Sequence, residues 1–105
     1  MDSSTKQEII QKLRAYPLKK KLIAVGDYDT QQYQEAWELV KEVEDTLPHL
    51  TDREKELIDL EFWSNKDLTI HGYMVELNIS GPNTYYRHRD KALRKFGLRM
   101  GLVTV

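Results

Sequence analysis

A chain of 105 residues, 40% hydrophobic and 31% charged, suits one domain, or a small domain with a helical arm, and is too apolar for wholesale disorder. It has no cysteine, which excludes disulfides and thiolate metal centres. A net charge of −1 argues against blanket coating of nucleic acid. No apolar run approaches membrane-spanning length and residues 1–6 lack a signal-peptide core, so a cytoplasmic protein with no membrane association is expected.

The apolar pattern is helical almost throughout. Ser4 or Thr5 is placed to cap a first helix in which Ile9, Ile10, Leu13 and Tyr16 recur at 3–4 spacing, with Pro17 ending or kinking it. Leu18, Leu22, Ile23 and Val25 follow beside Lys19-Lys20-Lys21, which reads as a solvated face in preference to a second phosphate contact. Gly26-Asp27-Tyr28-Asp29 reads as a turn. Asp27 and Asp29 begin like a calcium loop, but the required glycine and terminal glutamate are out of register. The clearest periodic segment carries Tyr33, Ala36, Trp37, Val40, Val43 and Leu47 on one stripe and closes at Pro48. Tyr33 and Trp37 are expected to pack on the first helix or to face a partner.

Leu50-Thr51-Asp52-Arg53-Glu54 restarts helix, with Thr51 and Glu54 in capping-box register. Leu57, Ile58, Leu60, Phe62 and Trp63 supply a broad apolar face, and Ser64-Asn65-Lys66-Asp67 is a loop. A helix over 68–78 turns Ile70, Tyr73, Met74, Leu77 and Ile79 inward. Ser80 suits the N-cap of a last helix, Pro82 its first turn, and Gly97 its C-terminal stop. The expected class is all-α: an N-terminal helical section, residues 1–48, for assembly or partner contacts, then a helix-turn-helix domain, residues 49–105.

The charge is segregated. Residues 80–105 carry six Lys and Arg against one Asp, a net of +5, whereas 49–79 carry −4 and 1–48 carry −2. A short helix, a tight turn and a second helix rich in bases outline a DNA-reading helix-turn-helix. On a helical wheel Tyr85, His88 or Arg89, Ala92, Leu93 and Phe96 face the preceding helices. Asn83, Thr84, Tyr86, Arg87, Asp90, Lys91 and Arg94 face outward. Arg87 suits a bidentate contact to guanine, Asn83 to adenine, and Tyr86 offers an edge to a thymine methyl. Lys91, Arg94, Lys95 and Arg99 lie too far along for bases and suit phosphates, as do Ser80 and Thr84 at the helix start.

Other chemistry is not indicated. His49, His71 and His88 show no metal-ligand spacing, and no phosphate loop, nucleophilic triad or paired catalytic carboxylates is recognisable, so neither an enzyme nor a cofactor is expected. A single small module rarely reaches useful specificity alone, which suggests a homodimer through the N-terminal helices. The rival readings are a repressor using the same helix and an adaptor whose basic helix binds an acidic protein.

Lys91-Ala92-Leu93-Arg94-Lys95-Phe96, with Ser80 eleven positions before Lys91, resembles the closing helix of region 4 of bacterial sigma factors. Leu50-Thr51-Asp52-Arg53-Glu54 resembles the opening of that region and of LuxR-type response regulators. Ser80 with Thr84-Tyr85-Tyr86-Arg87, the small size and the helical N-terminal half are most similar to the ArpU/RinA group, sigma-region-4-like regulators of phage and prophage late genes in Gram-positive bacteria. The resemblance covers roughly residues 50–100. It implies double-stranded DNA as partner, RNA polymerase nearby, and base-reading positions at Pro82, Asn83, Tyr86 and Arg87. Pro82 replaces the charged residue usual in sigma factors, which implies a target other than their ordinary upstream promoter element. The chain also lacks the other sigma regions, which implies an activator or accessory regulator.

Overall fold

The computed structural model describes residues 1–26 and 30–104. The chain folds as α1 (Ser3–Val25), α2 (Gln31–Thr46), a 3₁₀ turn at Leu47–His49, α3 (Asp52–Ile58) running into a π-helical turn at Asp59–Trp63, α4 (Ile70–Leu77) and α5 (Pro82–Arg99). With no strand among the described residues, the class is all-α. The turn expected at Asp27, Tyr28 and Asp29 lies outside the described residues.

Helix α1 begins two or three residues earlier than expected, because Asp2 rather than Ser4 or Thr5 is its cap and accepts from the Thr5 amide at 2.8 Å. It neither ends nor breaks at Pro17. Proline lacks the N–H that would bond the carbonyl four residues back, which here belongs to Leu13. The indole Nε1 of Trp63 donates to that carbonyl at 2.8 Å. Trp63 also lies against Tyr16, with ring centroids 5.0 Å apart. A donor from the π-helical turn thus replaces the one proline removes, and the helix runs on for two more turns.

Helix α2 packs on α1 through Ala36, Leu39, Val40 and Val43, all buried. Trp37 is not among them: half of it is exposed, and the stripe turns by one position to bury Leu39. On the flank of this pair the Tyr16 hydroxyl donates to Glu44 at 2.7 Å and Lys20 reaches the same carboxylate at 3.0 Å. The Glu44 carboxyl is held below its usual range by these two partners, the Tyr16 hydrogen bond foremost.

Helix α3 starts on the anticipated capping box. The Glu54 amide donates to Thr51 Oγ1 at 3.1 Å, and the Thr51 amide donates back to Glu54 Oε1 at 2.8 Å. Helix α4 is shorter than the 68–78 span expected, since Thr69 caps it and accepts from the Gly72 amide. It ends on Asn78, whose φ of +56° is the left-handed conformation that lets the Ile79 amide reach back to the Met74 carbonyl at 2.9 Å. Ile79 is thereby buried. A guanidinium N–H of Arg53 donates to the Leu77 carbonyl and ties this helix end to α3.

Two readings of α5 are corrected. Its cap is Gly81, not Ser80, which is exposed in the turn; Pro82 occupies the first helical position as anticipated. Gly97 is not the stop. The helix continues to Arg99, and Gly101, at φ +75°, makes the left-handed cap, with Leu102 N donating to Gly97 O at 2.9 Å. Gly97 is instead a contact glycine. An added Cβ would fall 2.8 Å from Ile9 Cδ1 and 2.6 Å from Val103 Cγ2. The core is therefore continuous from Ile9 and Leu13 of α1 to Leu93 and Phe96 of α5, across the boundary drawn at residue 48.

Candidate nucleic-acid interface

Helix α5 is positioned from three sides. Tyr85, Ala92, Leu93 and Phe96 are fully buried among α1, α2 and α3, and a four-residue turn, 78–81, joins it to α4. The Tyr85 hydroxyl donates to Glu61, and burial together with that carboxylate pushes its ionisation far above the usual range. Arg89 bonds the other oxygen of the same carboxylate, Nε at 3.0 Å and Nη2 at 2.9 Å, with only 17% and 5% of the two side chains exposed. Its guanidinium also lies 5.7 Å from the Phe62 ring centre and 5.9 Å from that of Tyr86. Arg89 is thus a structural cation.

Lys95 is another. Its ammonium sits 2.6 Å from Oε1 of Glu54, which is 2% exposed, and also donates to the His49 carbonyl at 3.1 Å. Burial alone would raise the Glu54 carboxyl, but bonds from Lys95 and the Thr51 amide outweigh it and hold the group below its ordinary value. Lys95, read in the sequence as a phosphate contact, is here paired with Glu54 and closes α5 onto the cap of α3.

The remaining bases are free. Among the described residues no carboxylate pairs with Arg87, Lys91, Arg94 or Arg99. Asn83, Arg87, Lys91 and Arg94 are exposed. At 3.6 residues per turn they fall within about 80° of arc, opposite the buried Ala92. Candidate base readers and phosphate contacts so share one stripe. Tyr86, 40% exposed, flanks it with its ring edge-on to Tyr85 at 5.7 Å, and Pro82 is exposed at the helix start. Thr84 is half-buried and Ser80 exposed beside them. Arg99 lies off the stripe, in a shallow concavity with Lys95, His49 and Thr46.

Sequence reasoning missed one participant. Lys6, from the first turns of α1, meets the only acid of α5, Asp90, at 3.3 and 3.4 Å. Together with Arg87, Lys91 and Arg94 the pair lines a concavity on the basic stripe. The partners are 84 positions apart, and no local pattern announces their meeting. No cluster of three metal-ligating side chains is found among the described residues, and no helix is long and apolar enough to cross a membrane.

No protein-family model, curated protein or solved structure matches the chain.

Proposed function

We propose that the chain is a sequence-specific DNA-binding transcription regulator in which α4, the 78–81 turn and α5 act as a helix-turn-helix of the sigma region 4 type, with no catalytic role and no cofactor. One observation carries the reading. The cations of α5 divide into two buried or half-buried ones spent on Glu61 and Glu54, and an exposed, unpaired set of which Arg87, Lys91 and Arg94 share a single stripe. A helix that only needed solubility would mix its charges freely; a basic stripe whose single acid, Asp90, is already paired with Lys6 suits, beside Asn83 and Tyr86, phosphates flanking a read sequence.

In this reading the first turns of α5 enter the major groove. Arg87 bonds guanine, Asn83 adenine, and Tyr86 and Pro82 pack on base edges, while Ser80, Thr84, Lys91 and Arg94 hold the backbone. Arg99 contacts phosphate only where the duplex bends toward its flank. The resemblance to the ArpU/RinA group leads us to propose an activator of phage or prophage late genes, acting in the cytoplasm beside RNA polymerase. Self-association through α1 and α2 accompanies it, supported by the exposure of Leu18 and Trp37 on those helices.

The test is Arg87→Ala and Asn83→Ala, titrated by fluorescence anisotropy against a duplex selected from random sequence and against unselected duplex. Each substitution should cost about 1–3 kcal/mol on the selected site and little on the other. Equal losses on both would remove base reading from these residues.

A further inference from the structure

The contact between Lys6 and Asp90 joins α1 to α5 at the edge of the fold. The two side chains are 32% and 44% exposed and lie on the stripe rather than in the core. Asp90 Oδ1, the oxygen 3.3 Å from Lys6, is itself shielded from solvent and has no hydrogen-bond partner among the described residues. Asp90 is also the one acid among the outward bases of α5, with Arg87 three residues before it and Arg94 four after. An uncovered carboxylate at that point would repel backbone phosphate; the same carboxylate covered by an ammonium is neutral. The ammonium comes from another helix, so the α1 end is brought into the surface that DNA would meet.

We propose that the first turns of α1 belong to the nucleic-acid surface and that the Lys6–Asp90 pair sets the affinity of the α5 stripe for backbone phosphate, whatever the base sequence. This rests on the DNA-binding reading above and adds a contact and a control to it. The occupant is a duplex phosphate, seated against Arg87, Lys91 and Arg94, with Lys6 shared between it and Asp90.

Charge arithmetic predicts opposite signs for the two halves of the pair. Lys6→Ala removes one cation and bares Asp90. Asp90→Asn frees Lys6 for the phosphate. One phosphate contact changes log affinity by about 0.9 per tenfold change in salt, which amounts to roughly fivefold between 1 M and 0.15 M. In the full-length chain, Lys6→Ala should therefore weaken binding about fivefold or more, and Asp90→Asn should tighten it by about fivefold, on selected and random duplexes alike. The double variant, neutral again, should return to within about twofold of the parent.

Thermal melts on the same samples, with Lys6→Gln as a second lysine variant, separate this from a mere bracket between α1 and α5. Were the pair only structural, both single substitutions would lower the melting temperature and weaken binding together, and the proposal falls. If Arg87→Ala weakens binding to the selected duplex alone while Lys6 and Asp90 variants bind like the parent, α1 lies off the DNA. The proposal then falls while the DNA-binding reading stands. If neither the parent nor Asp90→Asn binds any duplex at low salt, both fall together.

Discussion

The passage of α1 through Pro17 rests on a single donor, and removing it has a calculable effect. Trp63→Phe keeps an aromatic ring beside Tyr16 but deletes the indole N–H, leaving the Leu13 carbonyl with no partner. Leu13 is fully buried, so water does not readily replace the lost donor. An unsatisfied buried carbonyl costs about 1–3 kcal/mol, and the smaller ring forfeits roughly another 1 kcal/mol of packing. A loss of about 2–4 kcal/mol is expected in urea denaturation followed by helical circular dichroism. Pro17→Ala restores a main-chain N–H within reach of the same carbonyl. In that background Trp63→Phe should cost only its packing share, about 1 kcal/mol, giving a coupling of about 1–3 kcal/mol. Equal costs in the two backgrounds would refute the claim that the indole stands in for the missing amide.

Other consequences concern the charges beneath the stripe. Lys95→Met leaves the Glu54 carboxylate buried and unpaired, which should cost about 2–3 kcal/mol; adding Glu54→Gln should recover much of it, and no recovery would mean that Lys95 acts elsewhere. Glu54 and Glu44 are both held below the ordinary glutamate value of 4.5 in the fold. Their stabilisation is then full above that pH and is lost as pH falls through the depressed folded values. Thermal midpoints should stay nearly level just above pH 4.5 and decline below it, less steeply for Glu54→Gln. A decline unaltered by that substitution would exclude Glu54 as a source.

Much of the fold can be read from local pattern. The buried positions of α1, the capping box at Thr51, the inward face of α4 and the faces of α5 all follow from spacing within a few turns. The departures share a cause, namely partners far along the chain. Pro17 stays helical because of Trp63, and Gly97 is small because Ile9 needs the space. Lys95 looks like a free base, and Arg89 only an alternative to His88 on the packing face, until Glu54 and Glu61 are placed beside them, 41 and 28 residues away. The candidate stripe is legible as composition, but the division of its cations into spent and free ones is not, and neither is the intrusion of Lys6. Ser80 and Gly81 differ by one position, a distinction that cap preference alone does not make, since both residues serve as N-caps.

A DNA-reading role for this chain requires that the α5 stripe distinguish one base sequence from another. Purified full-length protein should be used to select bound duplexes from a random pool at about 150 mM salt, where backbone attraction alone is weak. Enrichment of a defined motif, lost on Arg87→Ala, is the predicted result. A folded, helical protein that enriches no sequence would contradict it.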